Sequence, residues 1–243
     1  MRDNLQDLIT YTYGLGVIDT IKIVGTDKET KISAVADNRT VVIEAQTKNP
    51  IPEFIGTFGM PLLSKLHNIL SVKDYDENAK ISVTNITRDG EVTPVSIQFE
   101  TKSADLTNEY RFMAKVIVEE KIQNIKFKTP KWDIEFVPSV TYIQRLKTQA
   151  NVNSEEEYFT MKTVGNNLMI YFADQSTHNA KLIFQENVSG TLNRAWKWPV
   201  KVFLSIMDLA GDKTIRISDS GACEITVDSG LAVYHYRLPG VGK

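Results

Sequence analysis

The stretch WPVKVFLSIMDL, residues 198–209, sets the frame for reading the rest of the chain. Four of its apolar residues recur at helical spacing and share one face of a helix: Val200, Phe203, Ile206 and Met207. Pro199 stands at the first turn, where a proline costs no backbone hydrogen bond. Two alternating apolar segments follow directly, TIRIS at 214–218 and CEITV at 223–227. This order predicts a helix that leads into a pair of strands.

The same two patterns extend over the whole chain. Three more segments have a helical period, at 4–13, 61–72 and 139–151, and Pro61 again stands at a first turn. Alternation with β-branched and aromatic residues predicts further strands at 20–24, 40–45, 80–84, 95–100, 110–118, 133–137, 158–164, 168–172, 181–185 and 232–238. The chain is therefore predicted to be mostly strands with a few short helices.

The order of these elements repeats, because each half reads helix, strands, helix, strands. Leu5, Leu8, Ile21 and Ile23 correspond to Ile143, Leu146, Phe159 and Met161 at a constant offset of 138 residues. Leu66, Ile69 and Leu70 correspond to Phe203, Ile206 and Met207 at 137, and Ile81 and Val83 to Ile215 and Ile217 at 134. We predict two tandem domains, 1–120 and 132–243, joined by a basic connector at 121–131 that contains Pro130.

Composition excludes several classes of protein. The 243 residues, 27.4 kDa, are 42% hydrophobic and 24% charged, which is typical of a globular protein. No apolar run is long enough for a membrane helix or follows Met1 as a signal peptide. The single Cys223 fits a reducing cytoplasm. The net charge of −2 divides unevenly: residues 1–126 hold 15 basic and 18 acidic side chains, and residues 127–243 hold 13 and 12. Any nucleic-acid contact is therefore expected on a local face of the second half.

Tandem domains with these stretches resemble the DNA sliding clamps, in particular the T-even phage polymerase clamp and the eukaryotic PCNA. Residues 198–209, 214–218 and 223–227, with AVYHYRLP at 232–239, resemble the second clamp domain. Residues 60–72 and 80–84 take the same part in the first half. The chain departs from the family at its start, where the first helix begins almost at Met1 and the usual leading strand is short or absent.

The resemblance implies an α+β fold of two tandem clamp-type domains, with helices lining a ring and antiparallel sheets on the rim. It implies a homotrimer that encircles double-stranded DNA without base readout and tethers a DNA polymerase, with a clamp loader as second partner. No catalytic residue, cofactor, metal or membrane contact is expected. The expected location is the cytoplasm, which is the host cytoplasm for a phage protein.

A clamp should present polar or basic side chains on the helix faces opposite the core. We therefore predict that five residues of the second half contact the DNA backbone: Arg145, Lys147, Arg194, Lys197 and Lys201. The helix at 61–72 offers Ser64, Lys65, His67, Asn68 and Ser71. The first helix conflicts with this pattern, because its polar face holds Asp3, Asp7 and Thr10, and carboxylates repel phosphate.

The resemblance also implies surfaces for subunits and partners. Ring closure by strand pairing makes 108–118 and 181–185 the candidate edges, with Tyr110, Phe112, Ala114, Val116, Lys181 and Ile183 as interface residues. Internal strands would explain both segments equally well. A partner pocket beside the connector and the C-terminus would use Ile125, Phe127, Tyr234, Tyr236, Leu238 and Pro239, although aromatic residues that end a strand usually belong to the core.

The sequence contains no catalytic signature. His67, His178 and His235 lack metal-ligand spacing, Cys223 reads as a small buried hydrophobe, and residues 155–157, three glutamates, read as a solvated turn. Two alternatives to a clamp stay open. One is a β-rich structural or virion component without a DNA function, and the other is a small hydrolase with dispersed catalytic residues.

Overall fold

A computed structural model describes residues 1–75, 79–88, 91–123, 129–173 and 179–242. The chain divides into two compact units. The first comprises Met1–Lys126 and Ser229–Tyr234, and the second comprises Phe127–Asp228 and His235–Lys243. The final strand therefore begins in the first unit and ends in the second.

The first unit contains ten α-helices and β-strands in the described part of the chain. In order they are α1 (Arg2–Tyr11), β1 (Thr20–Gly25), β2 (Thr30–Val35), β3 (Val42–Thr47), β4 (Gly56–Pro61), α2 (Leu63–Leu70), β5 (Lys80–Arg88), β6 (Glu91–Glu100), β7 (Thr107–Arg111) and α3 (Lys115–Lys121). Strands pair antiparallel in the orders β4-β1-β2-β3 and β5-β6-β7.

The second unit has a closely related set of elements. They are β8 (Ile134–Phe136), α4 (Val140–Val152), β9 (Tyr158–Val164), β10 (Asn167–Phe172), β11 (Ala180–Gln185), β12 (Trp196–Pro199), α5 (Val200–Asp208), β13 (Asp212–Ser218), β14 (Ala222–Asp228) and β15 (Ala232–Pro239). Antiparallel pairing gives the orders β12-β9-β10-β11 and β8-β13-β14-β15.

The predicted repeat is confirmed in the order of the elements and in the order of the strands. Apart from α3 at the end of the first unit and β8 at the start of the second, each unit runs helix, four strands, helix, three strands. In both units the last strand of the first four pairs with the first of them, β4 with β1 and β12 with β9. The residues that carried the constant offsets lie in matching elements: Ile21 and Ile23 in β1 are buried, as are Phe159 and Met161 in β9. The predicted α+β class with two tandem units is confirmed.

The helices form where apolar residues recur on one face and the first turn is satisfied. In α5, Phe203 and Ile206 are fully buried. In α4, the Ser139 hydroxyl accepts a hydrogen bond of 3.3 Å from the Tyr142 N–H and so caps the first turn. The prediction that both prolines stand in the first turn of a helix is wrong. Pro61 is the last residue of β4, and Pro199 is the N-cap residue that precedes α5.

The strand predicted at 110–118 is wrong beyond Arg111. Strand β7 ends there, and α3 follows. Val118 and Ile122 are four residues apart, and both are buried on one face of the turn that joins them. A Cβ on Gly59 of β4 would lie 2.8 Å from the Val118 Cγ2 atom, so α3 packs directly on that glycine. The apolar residues of this segment fit both periods, and packing selected the helix.

Three strands went unpredicted: β2, β4 and β12. Strand β4 carries two glycines and a proline, which are rare in strands, and β12 has only four residues. Among the described residues, no helix is long and apolar enough to cross a membrane.

Candidate nucleic-acid interface

Helix α4 exposes Arg145, one of the five predicted DNA-contact residues. Leu146 and Ala150 are buried, and Arg145 is exposed on the other side of the helix. The Arg145 guanidinium lies 5.6 Å from the centre of the Tyr142 ring, a cation–π distance. Thr141, Gln144 and Thr148 complete this polar face and, with Arg145, line an open groove against Leu182 of β11.

Helix α5 exposes Lys201 and Asp208 opposite its buried stripe. Ser205 lies between them, and its hydroxyl donates a hydrogen bond of 2.9 Å to the Lys201 carbonyl. Lys201 stands in the first turn of the helix, and Asp208 is its last residue. This face thus carries one cation and one anion with a hydroxyl between them.

Lys147, another predicted DNA contact on α4, is half-buried and already paired with a carboxylate. Its Nζ atom forms an ion pair with the Asp208 carboxylate, and its side chain is 31% exposed against 56% for Asp208. Lys213, at the start of β13, donates hydrogen bonds to the carbonyls of Leu209 and Gly211, the latter at 3.2 Å, and so occupies the C-terminal end of α5. Burial lowers the pKa of Lys213, and the Asp208 charge acts in the opposite direction.

The other two predicted DNA contacts do not lie on a helix. Arg194 precedes β12, and its N–H donates a hydrogen bond of 2.8 Å to Asp219 Oδ1. Lys197 lies in β12 and exchanges two backbone hydrogen bonds, of 3.1 and 2.9 Å, with Val241 near the C-terminus. Between them, the Trp196 indole donates a hydrogen bond of 2.9 Å to the Asp219 carbonyl. Arg194 is exposed and Lys197 is half-buried.

In the first unit, α1 is less acidic at its surface than its sequence predicts. Asp7 does not share the fully exposed face, because it accepts a hydrogen bond of 2.7 Å from the Tyr234 hydroxyl. Burial raises the pKa of Asp7, against the opposing effect of hydrogen bonds from Tyr234 and Ser229. The exposed residues of this helix are Asp3, Gln6 and Thr10.

Helix α2 exposes a polar, mildly basic face made of Lys65, His67 and Asn68, followed by Ser71. The His67 ring lies 5.4 Å from the Tyr13 ring. Ser64, the remaining predicted residue of this face, is half-buried.

The predicted subunit edges lie at the ends of their sheets. Strand β7 is last in the order β5-β6-β7, and β11 is last in the order β12-β9-β10-β11. Tyr110 and Phe112, however, face the core of the first unit, because the Tyr110 hydroxyl bonds the Pro61 carbonyl and Phe112 stacks on Phe58 at 4.4 Å. Exposed interface candidates are Ala114, Val116 and Lys181, and Ile183 is half-buried.

Of the four predicted partner residues that the structure describes, three are buried and so cannot contact a partner. Tyr234, Tyr236 and Leu238 are buried, and the Tyr234 ring stacks on Tyr11 at 4.9 Å between ring centres. Pro239 is exposed. Ile125 and Phe127 lie outside the described residues.

No protein-family model and no curated protein sequence matches the chain. Solved structures do. A PCNA from A. fulgidus, determined with the C-terminal region of FEN-1 bound, matches 98% of this chain and 96% of its own at a TM-score of 0.69 and 12% identity. The PCNA of Entamoeba histolytica matches 99% of this chain and 94% of its own, at a TM-score of 0.64 and 11% identity. The PCNA of Thermococcus kodakaraensis matches 99% of this chain and 95% of its own, at a TM-score of 0.61 and 10% identity.

The chain has the PCNA fold. The predicted resemblance is therefore confirmed at the level of the fold, over nearly the whole length of both chains. At identities of 10–12%, what this chain shares with these structures is the fold.

The cysteine and the histidine of the second unit that the structure describes are either buried or in contact with neighbouring side chains. Cys223 is fully buried, and burial raises the pKa of its thiol. The His235 ring contacts the Thr226 hydroxyl at 3.2 Å and lies 3.9 Å from Glu224. Residues 155–157 lie between α4 and β9, as predicted, and His178 lies outside the described residues. Within the described ranges, no group of three His, Cys, Asp or Glu side chains is placed to hold a metal ion.

Sequence reasoning missed the pairing of Asp208 with Lys147 and the position of Lys213. The register of α4 against α5 decides which side chains meet, and helical spacing within one element carries no information on that register. The signal in the sequence was the acidic residue at the end of α5, a helix whose first turn carries a lysine.

Proposed function

We propose that this protein is a DNA sliding clamp, a ring of three subunits that encircles double-stranded DNA and tethers a replicative polymerase. The single observation that supports this most is the PCNA fold, repeated in two units and matched over 94–96% of each similar chain. In such a ring the six repeated units would place their helices around the hole.

The chemistry of the helix faces suits a duplex that is held without sequence readout. Arg145 and Lys201 are exposed cations on α4 and α5, with Thr141, Thr148 and Ser205 as neutral hydrogen-bonding neighbours. Lys147, Arg194 and Lys197 add charge around them. Such groups bind phosphate oxygens directly or through water and carry no preference among bases. The mechanism is thus topological retention, with weak backbone contacts that centre the DNA.

Ring closure is proposed between the β7 edge of one subunit and the β11 edge of the next. Backbone groups at free edges pair readily with another strand. Tyr110 and Phe112 would support β7 from within the first unit, and Val116 and Lys181 would contact the neighbour at the surface.

Partner proteins are proposed to bind near the connector and Pro239. A polymerase held there would stay near its template at high effective concentration, and processivity would follow without any catalysis by the clamp. A clamp loader would open the ring on DNA. The site of action would be the cytoplasm, that of the host if the protein comes from a phage.

Light scattering during size-exclusion chromatography tests the assembly. The trimer predicts a mass of about 82 kDa, three times 27.4 kDa, over a range of concentrations. A monomer or dimer throughout that range would contradict the proposed closed ring.

A further inference from the structure

One cluster of charges in the second unit has a geometry that the fold does not require. Asp208, the last residue of α5, pairs with Lys147 of α4. Lys213 stands at the end of the same helix, and the charges of both Asp208 and Lys147 influence its pKa. The exposed Asp208 carboxylate is thus paired with one ammonium group, and the ammonium group of Lys213 is near enough for the Asp208 charge to act on it.

The cluster is confined to one of the two repeats. The constant offsets of 138, 137 and 134 residues pair Lys147, Asp208 and Lys213 with Ile9, Ser71 and Ala79 of the first unit, none of which is charged. At these three equivalent positions, all of them within the described residues, the first unit therefore has no ion pair. Exposed ion pairs contribute little to stability, so the pair is not needed to hold α4 on α5.

We propose that Asp208 is a counter-charge that weakens the hold of Lys147 on DNA phosphates and so keeps the second unit's helix face loosely bound to duplex DNA. This inference rests on the proposed clamp function. A phosphate that approaches Lys147 must replace the Asp208 carboxylate, so the net gain in electrostatic energy is small. The carboxylate also repels the phosphates on either side.

A loose contact matters because a sliding protein must break and remake each phosphate contact as it moves along the duplex. If Lys147 bound phosphate without a competing carboxylate, each step along the duplex would have a higher energy barrier. Asp208 acts through Lys147 and has no need to touch the DNA, so it is a positioning residue for the contact.

The test is the affinity of the full-length Asp208→Asn variant for a short linear duplex, measured by fluorescence anisotropy as a function of salt. We expect the variant to bind about two- to five-fold more tightly at low salt, the range that corresponds to the strength of an exposed ion pair. We expect its plot of log affinity against log salt to steepen by about 0.9 for each phosphate newly contacted. In the Lys147→Ala background, the gain from Asp208→Asn should shrink.

The matched control is Asp37→Asn, which makes the same change in net charge at an exposed position between β2 and β3. It should leave DNA binding unchanged. Thermal unfolding of each variant verifies that the fold is intact, and Lys201→Ala reports separately on the helix face.

The outcomes separate the two proposals. If Lys201→Ala weakens binding while Asp208→Asn binds as the wild type does, the counter-charge is wrong and the DNA face stands. If Asp37→Asn and Asp208→Asn tighten binding equally, the counter-charge is also wrong, because only the net charge of the protein would then affect binding. If the wild type shows no salt-dependent binding and Lys201→Ala changes nothing, the proposed DNA function fails, and the counter-charge fails with it.

Discussion

The Tyr234 hydroxyl donates a hydrogen bond of 2.7 Å to the Asp7 carboxylate, which joins the last strand to the first helix of the same unit. The two residues lie 227 positions apart in the sequence. The bond holds an acidic side chain of α1 away from the exposed face, where the sequence alone had placed it. The segment Ser229–Tyr234, late in the sequence, thus belongs to the same unit as α1.

We predict that Tyr234→Phe lowers the free energy of unfolding by about 1–3 kcal/mol, because a half-buried carboxylate loses a donor. The phenyl ring would keep the stacking on Tyr11. Urea unfolding measures the change. Tyr158→Phe, at a more exposed tyrosine in β9, is the control and should change stability little.

The same carboxylate predicts a dependence of stability on pH. Burial raises the pKa of Asp7 above its ordinary value of 3.8, so ionisation costs more in the folded state than in the unfolded state. The wild type should therefore lose stability from this group as pH rises from below 3.8 through the raised pKa. Asp7→Asn removes this loss, and the difference in unfolding free energy between variant and wild type should shift in the variant's favour over that interval. A difference that is constant with pH would contradict the assignment.

Gly59 should tolerate no side chain. An added Cβ would lie 2.8 Å from Val118 Cγ2 and 3.0 Å from Met113 Cβ, so Gly59→Ala must displace α3. We expect a loss of about 1–3 kcal/mol in unfolding free energy, as for other overpacked cores. Gly14→Ala is the control, since its nearest neighbour would be 3.7 Å away. In the Val118→Ala background, the penalty of Gly59→Ala should become smaller; a fully additive double variant would show that the two sites do not touch.

Substituting Glu224 should lower the free energy of unfolding far more than substituting Glu135. Glu224 is 6% exposed and pairs with Arg237 at 2.9 Å, whereas Glu135 is 53% exposed and pairs with Arg216 at 3.0 Å. Removing one partner of a buried pair costs about 3–5 kcal/mol, and removing one partner of an exposed pair costs under about 1 kcal/mol. Chemical denaturation of Glu224→Ala and Glu135→Ala measures both, and equal losses would refute this ranking.

Val116→Glu should dissociate the proposed trimer without unfolding the subunit. Val116 is 72% exposed on α3, directly after the β7 edge, so the folded subunit loses little, whereas a contact with a neighbour would bury the new charge without a partner. Light scattering should show a monomer of 27.4 kDa. Val164→Glu, 53% exposed at the end of β9, should leave the mass of the assembly unchanged.

Much of this fold could be predicted from sequence because burial leaves a periodic trace. The helical stripe of α5 and the alternation of β9 each placed an element correctly. The segment after Arg111 failed because Val116 and Val118 alternate as in a strand, whereas the partner of Val118 is a glycine more than 50 positions earlier. Strand β4 was not predicted because it contains two glycines and a proline and buries three consecutive residues instead of every second one.

The candidate site was less accessible to prediction than the fold. Helical spacing identified Arg145 and Lys201 as exposed cations. It could not show that Asp208 pairs with Lys147 or that Asp7 turns to Tyr234, because both contacts join separate elements. Strand alternation also made Tyr234 and Tyr236 candidates for a partner pocket, and three-dimensional packing placed both in the core.

The most direct test of encirclement compares two DNA molecules of identical sequence, one linear with free ends and one closed into a circle. A closed ring threads onto free ends and cannot thread onto a circle without a loader. The account predicts that the purified protein binds the linear duplex and that its binding to the circle is much weaker at the same salt. Equal binding to both molecules would show contact with the outside of the duplex and would contradict the sliding-clamp proposal.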